Sequence, residues 1–155
     1  MPNLSISNSI ISKPEHRQML EANPNNLTFV SSNEGFATSG SVINITGKKL
    51  LCTSGAGGNG YAYRTFTVTP GVTYEFKVQW LLVGGGTQSA GIAQLGSTDG
   101  GTEYGEEVVG ALTSSRYIPI TFKATSAIVY LRLVSITGSK SCTWDNISID
   151  EVGNY

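Results

Sequence analysis

The segment from Phe66 to Leu82, FTVTPGVTYEFKVQWLL, constrains the fold more than any other part of the chain. Phe66 and Val68 alternate with threonines, Pro70-Gly71 interrupts, and Tyr74, Phe76, Val78 and Trp80 then alternate with Thr73, Glu75, Lys77 and Gln79. A period of two puts successive side chains on opposite faces of a strand, whereas a helix needs apolar residues three and four apart. The segment therefore predicts two strands joined by a turn at Pro70-Gly71, with Tyr74, Phe76, Val78 and Trp80 facing a core.

The same pattern recurs from Asn26 onward. Short strands are expected at Leu27 to Val30, Ser41 to Ile45 and Lys49 to Thr53, then Tyr61 to Thr69 and Thr73 to Val83. Ser89 to Leu95, Tyr117 to Ala124, Ala127 to Ile136 and Cys142 to Ile149 follow. Gly55 to Gly60 and Gly84-Gly85-Gly86 read as turns between them. The stretch from Gly96 to Ser115 reads as a loop with a short strand at Val108 and Val109. About eight to ten strands at this spacing predict an all-β, two-sheet antiparallel β-sandwich of jelly-roll type. At 155 residues the chain can bury one such core without disulfides or metals.

Residues 1–25 differ in texture and predict an N-terminal arm, with the jelly-roll domain at 26–155. Ser12-Lys13-Pro14-Glu15 resembles a capping box, which would start a helix of about two turns through Met19 and Leu20, ended by Asn23-Pro24. The arm is too short for a core of its own. Its apolar residues, Leu4, Ile6, Ile10, Ile11, Met19 and Leu20, are the candidate docking residues. The first sixteen residues lack a basic start and a continuous apolar run, so a protein beginning at Met1 is expected to be made in the cytosol without the general secretion signal.

A net charge of -1 and the absence of any basic run exclude an electrostatic case for nucleic acid or an anionic membrane. No apolar stretch approaches the roughly 20 residues of a membrane-spanning helix. Cys52 and Cys142 would pair in an oxidising compartment and remain thiols in the cytosol, and two Cys with one His do not make a zinc site. The acidic stretch Asp99 to Glu107 reads as a solvated loop, because neighbouring Glu106 and Glu107 would point to opposite sides of a strand and could not flank one cleft. His16 has no imposed partner for a triad, and the glycine clusters precede no helix or phosphate-loop Lys. No catalytic residue is expected.

Three segments carry a family resemblance. Phe66-Thr67-Val68-Thr69-Pro70-Gly71-Val72-Thr73-Tyr74, Ile120-Thr121-Phe122-Lys123-Ala124 and Trp144-Asp145-Asn146-Ile147-Ser148-Ile149 resemble, in order and spacing, the galactose-binding-like jelly rolls. That superfamily includes the carbohydrate-binding modules attached to xylanases and cellulases, and its fold is also used in bacteriophage virion proteins. The resemblance spans about Asn26 to Val152 and speaks for the fold more than for the ligand. It implies exposed rings that stack on sugar faces, and a structural calcium held partly by the Asp matching Asp145.

Phe66, Tyr74, Phe76, Trp80 and Phe122 fall in apolar phase and are assigned to the core. Tyr61 and Tyr63 lie out of phase with Phe66, Tyr130 and Arg132 out of phase with Leu131 and Leu133, and Gln79 out of phase with Trp80. These five are the candidate carbohydrate-binding residues. Two binding roles follow. The first is a virion protein that decorates a bacteriophage capsid, or a tail or fibre component, docked through arm and sheet edge on a capsid protein as a homo-oligomer such as a trimer, and holding glycans. The second is an extracellular carbohydrate-binding module of a secreted polysaccharide-degrading enzyme.

Overall fold

A computed structural model describes Leu27, Phe29 and residues 33–82, 90–110, 114–136 and 138–152. The arm, with Leu4, Ile6, Ile10, Ile11, Met19 and Leu20, and the boundary at residue 25 lie outside the described residues. The described residues form ten strands: β1 (Ala37–Ser39), β2 (Ser41–Thr46), β3 (Lys49–Ser54), β4 (Gly60–Thr67), β5 (Thr73–Leu81), β6 (Gly91–Gly96), β7 (Gly105–Val109), β8 (Arg116–Lys123), β9 (Ile128–Ser135) and β10 (Ser141–Glu151). They form two five-stranded sheets, sheet I in the order β1-β4-β9-β6-β7 and sheet II in the order β2-β3-β10-β5-β8. Every neighbouring pair is antiparallel, which gives a β-sandwich of jelly-roll type.

The alternation seen in the sequence is realised in β5. Tyr74, Phe76, Val78 and Trp80 are buried, while Thr73, Glu75, Lys77 and Gln79 face outward. Facing them from sheet I are Ala62 and Phe66 of β4, Ala93 and Leu95 of β6, and Val129, Leu131 and Leu133 of β9. Each fully buried aliphatic or Phe side chain contributes roughly 1.5–3 kcal/mol through apolar area removed from water. Cys52 and Cys142 are direct cross-strand partners in β3 and β10 and are buried without being joined. Burial pushes the Cys52 thiol above its ordinary range, so it stays protonated at neutral pH.

Trp144 of β10 lies opposite Trp80 of β5 and reaches across the core to Gly91. A Cβ at Gly91 would stand 2.7 Å from Trp144 Cζ2 and 2.9 Å from Cys142 Sγ, so the indole occupies the volume a side chain would take. Gly91→Val is expected to destabilise the fold by about 1–3 kcal/mol through overpacking, read as a lower urea midpoint at unchanged slope. An unchanged midpoint would mean that Trp144 can move aside.

Three local departures from the sequence expectation have physical causes. Leu27 makes one isolated bridge to Ile147 (N···O 2.8 Å) and Phe29, at φ 48°, is outside the extended region, while residues 28 and 30 of the expected strand lie outside the described residues. β1 is three residues, too short for alternation to register. β7 begins at Gly105, earlier than Val108-Val109 suggested, because an edge strand tolerates the charged pair Glu106-Glu107. The inward-phase Glu107 meets Arg116 of β8 at 2.5 Å and links the two sheets at that edge.

Candidate ligand-binding face

The register of sheet I decides which outward side chains become neighbours. Ala37 pairs with Tyr63, Tyr63 with Arg132, Arg132 with Gln94, and Gln94 with Glu106. These five residues form one row across all five strands, and at about 4.8 Å per strand the row runs about 19 Å. A second row lies beside it: Ser39, Tyr61, Val134, Ile92 and Val108. The first row is polar, with donors and acceptors at Tyr63, Arg132, Gln94 and Glu106. The second is largely apolar, and its end residue Val108 is 52% exposed. A third, shorter row holds Thr65, Tyr130 and Gly96.

Contacts within the face hold it in shape. The Arg132 guanidinium carbon lies 4.2 Å from the centre of the Tyr61 ring, and the Tyr61 and Tyr63 rings are 5.9 Å apart at 56°. Arg132 Nε donates to Asp99 Oδ1 at 2.8 Å, and Gln94 Nε2 donates to Glu106 Oε2 at 2.6 Å. The hydrogen bond from Arg132 holds the Asp99 carboxyl below the usual carboxylate range. The pair therefore stays ionised through neutral pH and is lost only as pH falls through that lowered value.

Asp99 belongs to the β6–β7 connection, residues 97–104, which folds back onto the face. Gly101 lies over Gly96, where a Cβ on Gly96 would be 2.5 Å from the Gly101 carbonyl carbon. Glu103 Oε1 accepts from the backbone N–H and hydroxyl of Ser97, and Gly101 N–H donates to Thr98 O at 3.0 Å. At the far end the Tyr104 ring stacks on Phe122 at 4.8 Å, and its hydroxyl meets Thr125 Oγ1 and accepts from the Thr125 and Ser126 amides. The stretch expected to be a solvated loop is thus tied at both ends and forms a wall along the third row.

Of the five candidate carbohydrate-binding residues, Tyr61, Tyr63, Tyr130 and Arg132 come together on this face. Gln79 does not join them. It points outward from sheet II, on the opposite side of the sandwich, where its Oε1 accepts from Asn146 Nδ2 at 2.8 Å beside Tyr117. Sequence reasoning missed Gln94, Glu106 and Asp99. Gln94 alternates with Ala93 and Leu95 and carried a readable signal, whereas nothing local marks Asp99 as a partner of a residue 33 positions away.

Trp144 is fully buried and offers no ring to a ligand. Asp145 Oδ1 accepts the Asn146 amide at 2.8 Å within a β10 bulge, where Asn146 has φ 49°. Among the described residues no group of three His, Cys, Asp or Glu side chains converges as a metal site. A calcium ion at Asp145, which takes about six to eight oxygens, would have to draw most of them from backbone carbonyls. A cavity of about 340 Å³ lined by Thr46, Gly47, Lys49, Leu51 and Thr143 lies on sheet II and holds no ring.

No family model and no curated protein sequence matches the chain. Among solved structures it is similar to a family 4 carbohydrate-binding module, at TM-score 0.62 and 12% identity over 83% of this chain and 99% of that one. It is also similar to the C-terminal family 22 carbohydrate-binding module of Clostridium thermocellum Xyn10B, at TM-score 0.59 and 18% identity over 87% and 99%. The enzymatically active domain of tailspike protein 4 from bacteriophage CBA120 matches at TM-score 0.53 and 8% identity, over 76% of this chain and 18% of that one. The chain is a jelly roll of the kind found in carbohydrate-binding modules.

Proposed function

We propose that this domain is a non-catalytic carbohydrate-binding module that acts outside the cell and holds an extended glycan across sheet I. The observation that carries the reading is the pair of transverse rows. A pyranose has an edge of hydroxyls and a face of C–H groups, and here a row of donors and acceptors runs beside an apolar row. Tyr61 and Tyr63 offer rings to the C–H faces. Arg132, Gln94 and Glu106 offer hydrogen bonds to the hydroxyls.

The likeness to carbohydrate-binding modules, whose length the chain covers almost completely, supports the same reading. The virion role expected from the sequence has less behind it. Its docking residues lie outside the described ones, and the tailspike likeness spans a small part of that protein. Nothing among the described residues adds support for a capsid partner or a trimer.

The experiment is titration with a panel of soluble neutral polysaccharides, including β-glucan, xylan and mannan. At least one should bind the native protein, and Tyr63→Ala should weaken it about tenfold while thermal stability changes little. Failure of the whole panel, or unchanged affinity in Tyr63→Ala, would reject the reading.

A further inference from the structure

Arg132 is held on several sides at once. The Tyr61 ring covers its plane at 4.2 Å, and Asp99 Oδ1 accepts from its Nε at 2.8 Å. Gly100, at φ +76°, lies so close that a Cβ there would stand 2.6 Å from Arg132 Nη1. The wall formed by residues 97–104 therefore lies directly against this guanidinium, and a side chain at position 100 would displace it. Arg132 is 22% exposed and Asp99 51% exposed, so the carboxylate lies at the rim and the guanidinium within the face.

Among the described residues that point outward from sheet I, Arg132 is the one cation. Glu106 lies in the same row but two strands away on Gln94, and Glu103 is turned to Ser97, so among the described residues Asp99 is the carboxylate paired with this guanidinium. We infer that Asp99 is a specificity-determining residue, which cancels the charge of Arg132 and so makes the face take uncharged glycans and turn away uronate-bearing ones. The inference rests on the glycan-binding reading above and adds the selection by charge.

The chemistry separates two things that a guanidinium offers a ligand. Sugar hydroxyls need N–H donors, and Arg132 carries five, of which Asp99 takes the one at Nε. A uronate carboxylate needs an uncompensated positive charge as well, because it leaves water only for a charge-assisted bond. With Asp99 in place the other donors stay and the surplus charge is gone. Asp99 itself touches Arg132 and acts through it, which makes it a positioning residue.

The test compares the full chain with Asp99→Asn and Glu106→Gln, titrated with the neutral panel and with polygalacturonate at low and high salt. Asp99→Asn is expected to keep neutral binding within about threefold and to gain polygalacturonate affinity of about tenfold or more, a gain that high salt removes. Glu106→Gln removes the same charge from the face without touching Arg132 and is expected to show no such gain. The inference is overturned if Asp99→Asn gains nothing, or if Glu106→Gln gains as much. In either case continued binding of a neutral glycan by the native protein leaves the broader reading standing. If neither the native protein nor Asp99→Asn binds any glycan, both fall together.

Discussion

Trp144→Ala is expected to remove about 3–5 kcal/mol of stability, while Trp144→Phe removes only about 1–2 kcal/mol. Small domains are stable by about 5–15 kcal/mol in total, so the alanine variant should sit near its unfolding transition under mild conditions. The indole is fully buried, pairs across strands with Trp80, and packs on the backbone of Gly91 from the other sheet. Its removal opens a cavity between the sheets that neither can close without shifting its register.

Phenylalanine keeps most of the ring. It also gives up little hydrogen bonding, because among the described residues Trp144 Nε1 has no partner. A buried N–H without a partner costs free energy, and that offsets part of the lost packing. Urea titration followed by the fluorescence of the remaining Trp80 measures both variants. Equal losses for Phe and Ala would show that a phenyl ring recovers none of the packing at this site.

Tyr61→Ala is expected to weaken glycan binding about 30-fold, roughly 2 kcal/mol, with a much smaller change in stability. The substitution removes more than one contact. Tyr61 supplies a ring to the apolar row, stands 5.9 Å from the Tyr63 ring, and covers the plane of Arg132. Without it the guanidinium loses its lid and a donor in the neighbouring row loses its fixed orientation. Tyr63→Ala removes one ring and leaves Arg132 on Tyr61, so its effect should be the smaller of the two. Calorimetric titration of both variants against a bound neutral polysaccharide gives the order, and a reversed order would show that Arg132 does not depend on Tyr61.

The fold was legible because burial of one sheet face imposes alternation, and alternation survives in a bare sequence. The phase that put Tyr74, Phe76, Val78 and Trp80 inside also put Tyr61, Tyr63, Tyr130 and Arg132 outside, and the structure agrees on all eight. Phase tells a residue's face within its strand but not which sheet the strand joins. That is why Gln79, correctly outward, ends on the side opposite the tyrosines. Cross-strand neighbours were illegible for the same reason: the pairing of Arg132 with Tyr63 and Gln94 depends on the register of three strands distant in sequence. The acidic stretch Asp99 to Glu107 reads as a solvated loop in the sequence, since the anchors of its first half, Tyr104 on Phe122 and Asp99 on Arg132, are contacts made only in the folded state.

The transverse row from Ala37 to Glu106 draws one residue from each strand, so its length is counted in strands. Longer strands would widen the platform without extending the track along which a polymer could lie. Growth in reach would have to come at the margins, by recruiting another strand beside β1 or β7, and each such addition would supply a single further position.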